Sequence, residues 1–141
     1  HKMLPIVAEN NEPFLVINGD IYTELEISAW LARQLPMIPK IQASLALVAN
    51  PSHHPEGDFC LMPTSKLLLN PGRTATNSLT YAGLGLFRAS FFAGTESGPS
   101  KLGPALKHAT SNRQVTGDLV TDYWLDVGTP ERLQELVSRL S

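Results

Sequence analysis

A single cysteine, Cys60, stands among the 141 residues of the chain. One thiol excludes an internal disulfide, and no cysteine spacing offers a structural zinc site. Long apolar runs are missing as well: nothing approaches the roughly 18 residues of a membrane helix, and no charged start leads into the apolar core of a signal peptide. These absences lead to the expectation of a cytoplasmic chain with no membrane partner. Neither sign of charge dominates, because 11 Lys and Arg face 13 Asp and Glu for a formal net charge of -2. The lack of a broad basic field excludes a nucleic-acid backbone as the main partner and leaves room for a small phosphate pocket. Repeats, low-complexity tracts and interdomain linkers are absent, so residues 1–141 read as a single domain. The opening His1-Lys2-Met3-Leu4-Pro5 reads as the tail of a helix, and more chain is expected upstream.

What is present is apolar material for a core, with 43% hydrophobic residues against 17% charged. Residues 14–17 form a continuous apolar run that ends abruptly in Asn18-Gly19-Asp20. Such a run reads as a strand buried on both faces, and the Asp falls where open α/β sheets place their chemistry, beyond the carboxyl end of a strand. Thr23-Glu24-Leu25-Glu26 fits a capping box, which predicts a helix with Leu25, Ile27, Leu31 and Leu35 at near-helical intervals, closed by Pro36 and Pro39. Residues 44–49 are a second buried strand, and with the helix they predict a βαβ unit.

Beyond the break at Asn50-Pro51, residues 58–62 and 66–69 read as a hairpin turning near 63–65. Residues 79–87 predict a strand in which Gly83 and Gly85 mark a close approach to the backbone, by a ligand or by a packed neighbour. Residues 95–99 are loop material, and Ser100 is expected to cap a helix through His108. A short strand over 123–125 leads to Asp126-Val127-Gly128. Thr129 then caps a last helix with Pro130 at its first position and Leu133, Leu136, Val137 and Leu140 on one face.

Asp20 and Asp126 share a context, each at the end of an apolar strand and next to or near a glycine. Two such carboxylates at the top of one sheet suit Mg²⁺, which takes one or two protein carboxylates and completes its shell with water and substrate phosphates. Strand-ending aspartates also make turns and caps, so spacing leaves both readings open. His53 and His54 are adjacent on an extended segment and point to opposite faces, which argues against a chelating pair.

Four stretches in order, Pro13 through Asn18-Gly19-Asp20 to Thr23, Asn50-Pro51-Ser52-His53-His54 with Gly57-Asp58-Phe59, Tyr81-Ala82-Gly83-Leu84, and Tyr123-Trp124-Leu125-Asp126-Val127-Gly128-Thr129-Pro130, resemble the sugar-1-phosphate nucleotidylyltransferases. The likeness is greatest to the N-acetylmuramate 1-phosphate uridylyltransferase type, then to mannose-1-phosphate guanylyltransferase-like proteins, and it spans nearly the whole chain. It implies an α/β, Rossmann-like three-layer fold with a mixed, mostly parallel sheet, here incomplete at the N-terminus. It also implies transfer of a nucleotidyl group from an NTP to a sugar 1-phosphate, releasing pyrophosphate. Asp20 and Asp126 match the family's Mg²⁺-holding catalytic aspartates, while Gly83, Asn18, His54 and Lys101 are the substrate-side candidates.

The family's first strand, its glycine-rich Arg-containing loop and its Pro-Lys-Pro segment have no match here. The chain therefore resembles the C-terminal, sugar-phosphate and metal side, and is expected to be inactive alone. Its partners, besides NTP and sugar 1-phosphate, are expected to be the missing N-terminal segment or another copy of the chain. A non-catalytic sugar-phosphate-binding or subunit-contact remnant is the alternative. A metal-dependent glycosyltransferase ranks third, because Asn18 stands where its Asp-x-Asp needs a carboxylate.

Overall fold

The computed structural model describes residues 11–72, 76–93 and 101–141; the 95–99 loop and the Ser100 cap lie outside them. Strand β1 is Pro13–Ile17, β2 Ile21–Thr23, helix α1 Ile27–Gln34, β3 Ala43–Val48, β4 Phe59–Leu61, β5 Leu68–Leu69 and β6 Ser78–Arg88. Helix α2 is Leu102–Ser111, β7 Val115–Leu119, β8 Trp124–Asp126 and α3 Pro130–Leu140. Six strands make one sheet in the order β5-β4-β6-β3-β7, with β1 also on β6, while β2 and β8 pair apart as a two-stranded ladder.

Every residue of β3 is buried, and its side chains alternate between two cores. Ala43, Leu45 and Leu47 join Phe87, Val115 and, from α2, Leu106 and Ala109. Ala46 and Val48 face the opposite way, with Ala82, Leu84, Leu86 and Trp30 of α1. The outcome is the expected three-layer α/β arrangement, one helix on each face of a mixed sheet. Strand β1 also serves both cores, Phe14 and Val16 on one face and Leu15 on the other. It is only half-buried, however, because among the described residues β6 is its sole strand neighbour.

Strands β1, β3, β4 and β7 run in one direction and β5 and β6 in the other, yet the only parallel neighbours among the described strands are β3 and β7. The βαβ expectation is corrected on this point, since β6 lies reversed between β1 and β3. The α1 crossover requires only that β1 and β3 share a direction, which a reversed strand between them preserves.

The capping box is also corrected. Thr23 closes β2 and donates its hydroxyl to Tyr123 O at 3.2 Å, so Glu26 caps α1 instead, accepting from Ser28 N and Ala29 N at 3.3 and 2.9 Å. Strand β7 is an addition to the elements read from sequence.

Strand β6 is 11 residues long, and β1 and β4 share one of its edges in series: β4 pairs at Ser78 and Leu79, β1 from Leu84 to Arg88. Between them the edge forks. There Tyr81 N donates to Asp58 Oδ2 at 2.8 Å, and Asn18 N donates to Gly83 O at 2.7 Å, in place of a continuous ladder. A parted sheet edge leaves a recess whose walls carry polar groups.

Candidate active site

Asp20 lies in the turn from β1 to β2, and Asp126 is the last residue of β8. The β2–β8 ladder sets Ile21 opposite Asp126, and Val127 N donates to Asp20 O at 2.8 Å, so backbone pairing brings the two acidic residues to one place. Gly128 stands beside both: a Cβ there would press to 2.9 Å from Asp126 Oδ1 and 3.3 Å from Arg132 Nη2, with Asp20 Oδ2 at 3.8 Å, so the Asp126–Arg132 pair leaves little room for a side chain at this position.

The Asp126 carboxylate is held firmly. Oδ1 accepts from Gly128 N at 2.7 Å, and Arg132 Nη2 reaches both oxygens at 3.3 and 3.2 Å. His53 Nε2 lies 3.5 Å from Oδ2. Burial pushes the Asp126 pKa up, but the Gly128 N–H, the Arg132 charge and hydrogen bond, and His53 more than offset it, leaving the carboxyl below its ordinary value. Among the described residues the Asp20 carboxylate has no hydrogen-bond or ion-pair partner. Hard oxygens on two carboxylates, one held anionic and one without a partner among the described residues, are of the kind that could hold Mg²⁺. Among the described residues no group of three or more metal-ligating side chains forms.

Asp20 and Asp126 face a cleft of about 290 Å³ that Asn18, His53, His54, Tyr81, Gly83 and Trp124 also line. The two histidines diverge, His53 toward Asp126 and His54 Nε2 toward Asp58 Oδ1 at 3.1 Å. Gly83 has φ +76°, and a Cβ there would stand 2.9 Å from Asn18 Nδ2, so the approach expected at this glycine is made by Asn18. At Gly85 the close neighbours are Phe87 and Leu45, which makes that position one of packing.

A second cavity of about 270 Å³ shares Asn18 and Tyr81 with the first and adds Asp58, Gly103 and Lys107. The Tyr81 hydroxyl is buried without a hydrogen-bond partner among the described residues, and burial raises its pKa far above the ordinary value, so it remains a neutral O–H. Lys101 stands apart from both cavities. It lines a third, of about 590 Å³, with Gln42, Ser90 and Gln114 beyond the amino ends of β3 and β7. Asn18, Asp20, His54, Gly83 and Asp126 thus come together, and Lys101 does not join them.

Sequence reasoning passed over Arg132, Asp58 and Lys107. Arg132 was legible only as a cation six residues beyond Asp126 in the first turn of a helix. Asp58 had a better signal in Gly57, whose φ of +64° turns the chain so that Asp58 meets Tyr81.

No family model matches the chain. It is 40% identical over 135 residues to N-acetylmuramate alpha-1-phosphate uridylyltransferase of Neisseria meningitidis serogroup B, a match over 95% of this chain and 57% of that protein. A solved glucose-1-phosphate thymidylyltransferase of Bacillus anthracis, described as putative and holding sucrose, superposes with TM-score 0.73 at 17% identity, over 98% of this chain and 57% of that one. The UTP-bound UGPase of Acinetobacter baumannii gives TM-score 0.73 at 16% identity, over 98% and 53%. The chain spans a little over half the length of the curated relative it matches. In sequence it is related to the sugar-1-phosphate nucleotidylyltransferase family, whose mixed α/β fold it carries.

Proposed function

We propose that this chain, together with the polypeptide its relative carries beyond the matched region, transfers a nucleotidyl group from an NTP to a sugar 1-phosphate. The observation that carries this reading is the convergence of Asp20 and Asp126 on one cleft, in a chain 40% identical to a uridylyltransferase. The phosphate oxygen of the sugar 1-phosphate attacks the α-phosphorus, the bond to the bridging β-phosphate oxygen breaks, and pyrophosphate leaves as the NDP-sugar forms. Asp20 and Asp126 are the residues that would hold Mg²⁺, which supplies charge neutralisation at the reacting phosphates.

The chain's own groups do the positioning. Asp126 stays anionic through Gly128 N and Arg132, which close on its carboxylate so tightly that position 128 has little room for a side chain. Asn18, seated over Gly83, and Tyr81 form the wall common to both cavities. His54 braces Asp58, which in turn fixes the β6 backbone at Tyr81. Lys107, in place of the substrate-side candidate Lys101, is the lysine set to meet a phosphate, since it lines the cavity that holds Asn18 and Tyr81. Free Cys60 fits a reducing cytoplasm as the site of this chemistry.

The test is Asp126→Asn in a protein extended to its relative's length, assayed for pyrophosphate release with each NTP and a panel of sugar 1-phosphates. Turnover is expected to fall by at least about a hundredfold with circular dichroism unchanged. A wild-type rate removes Asp126 from the chemistry, and an inactive extended parent removes the enzyme reading.

A second reading, a subunit-contact piece inactive by itself, is favoured by one set of exposures. Ile17 on β1 and Leu133, Val137 and Leu140 on α3 are 46%, 51%, 48% and 60% exposed, and β1 has an edge without a strand among the described residues. An apolar edge and helix face of this kind suit the remaining polypeptide or another copy of the chain.

A further inference from the structure

We infer that Arg132 is a built-in counter-cation for Asp126, which lowers the affinity of the free site for a divalent ion and so ties metal capture to the arrival of the polyphosphate. The inference rests on the reading of Asp20 and Asp126 as the metal-holding pair.

Arg132 sits in the first turn of α3, its own N–H capped by Thr129 Oγ1 at 3.3 Å. Its side chain folds back over the preceding loop, Nε donating to Asp126 O at 2.6 Å and Nη2 to the carboxylate at 3.3 and 3.2 Å. One guanidinium therefore grips both the main chain and the side chain of a single residue. That fixes the carboxylate's direction and places a permanent positive charge on it. The pair is mostly withdrawn from water, with the side chains of Arg132 and Asp126 22% and 29% exposed, so solvent screens it incompletely. Asp20, by contrast, has no such partner among the described residues.

A carboxylate can accept about four hydrogen bonds. Gly128 N, Arg132 Nη2 and the nearby His53 already crowd those of Asp126. A bare divalent ion meets the repulsion of the guanidinium as well as this crowding. An ion that arrives on a triphosphate brings several negative charges with it, which Arg132 attracts. The same residue thus disfavours the bare ion and favours the metal–nucleotide pair.

The test uses Mn²⁺ alone, titrated by electron paramagnetic resonance into the 141-residue chain and into Arg132→Gln, Arg132→Lys and Asp20→Asn. Removing one positive charge beside a divalent ion in a partly screened site is expected to tighten Mn²⁺ binding about tenfold in Arg132→Gln. Arg132→Lys keeps the charge and stays within about twofold of the parent chain, a contrast that a merely structural role would not produce. Asp20→Asn weakens binding in every background if the pair is the metal site. Equal or weaker Mn²⁺ binding by a folded Arg132→Gln, with Asp20→Asn still weakening it, overturns the counter-cation role and leaves the metal site standing. Binding indifferent to Asp20→Asn and to Arg132→Gln overturns both.

Discussion

The six-stranded sheet and the β2–β8 ladder are built on opposite principles. In the sheet, β3 is wholly buried and its neighbours are cut to fit: Leu45 pairs with Gly85 on β6 and Gly117 on β7, and a Cβ at Gly85 would press to 2.9 Å from Leu45 Cδ2. Across the face toward α1, Ser44 donates to Gln34 Oε1 and accepts from Thr116, so a buried polar line joins helix and strands. The ladder and α3 have no fully buried residue. They are held by separate ties: Trp124 Nε1 to Ala82 O at 2.8 Å, Glu24 N to Tyr123 O at 2.9 Å, and the exposed Arg139–Glu24 pair over the Tyr123 ring. Asp126 ends the ladder and Asp20 lies in the turn that enters it, so precision there depends on hydrogen bonds added to the packing of Ile21 and Trp124 on the core, whereas the sheet depends on packing. Loosely packed elements open at lower free energy than core strands, which suits a site that must admit and release phosphates.

The largest effect that separates the two regions is expected from Leu45→Ala. It leaves a cavity between two glycine-flanked strands that cannot collapse onto side chains they lack, and should cost about 3 kcal/mol. Urea unfolding with far-ultraviolet circular dichroism reads the loss. A change below about 1 kcal/mol would mean that the sheet is not the rigid member of the comparison.

Trp124→Phe should act on the ladder instead. It removes the indole donor to Ala82 O while keeping an aromatic ring, a loss of about 1 kcal/mol. Amides of Ile21–Thr23 and Trp124–Asp126 should exchange about fivefold faster, with those of Ala43–Val48 unchanged. Equal acceleration in both sets would show that ladder and sheet open together.

How much of this division was legible depended on whether the cause was local. Thr129 and Pro130 announced α3, and the apolar run into Asn18-Gly19-Asp20 announced β1 and its acidic turn, because the signals lie within a few residues of their effects. Strand β7 was not legible. Val115-Thr116-Gly117-Asp118-Leu119 carries a Gly and an Asp at its centre, and it is a strand because Gly117 makes room for Leu47 and Leu68 across the sheet. Thr23 misled for the same reason, its hydroxyl being claimed by Tyr123, a hundred positions away. At the site, the pairing of Asp20 and Asp126 was implied by the family resemblance, since their shared context left turns and caps open as well, while Arg132's grip on Asp126 depends on a side-chain conformation that no spacing rule specifies.

The smallest and most selective effect should appear in acid. Burial alone would raise the Asp126 pKa, but Gly128 N, Arg132 and His53 reverse it, so the folded-state value lies below the ordinary one. A depressed folded-state pKa means that the unfolded chain takes up the proton first as pH falls. The contribution of Asp126 is therefore complete above the ordinary Asp pKa of about 4 and is lost as pH drops through the lower folded value. Glu131, held down chiefly by its own backbone N–H and by Thr129, adds in the same direction. Asp126 ends β8 and Glu131 lies in the first turn of α3, so acid should loosen α3 and the ladder before the sheet. Trp124 reports on this against Trp30, the only other tryptophan, which is fully buried on the inner face of α1. The fluorescence difference between the parent chain and Trp124→Phe isolates the Trp124 signal, which should change below about pH 4 while far-ultraviolet circular dichroism holds. A single shared midpoint for both signals, or a Trp124 signal that outlasts the sheet in acid, would place Asp126 in the same cooperative unit as Leu45 and remove the distinction between a packed scaffold and a hydrogen-bonded site.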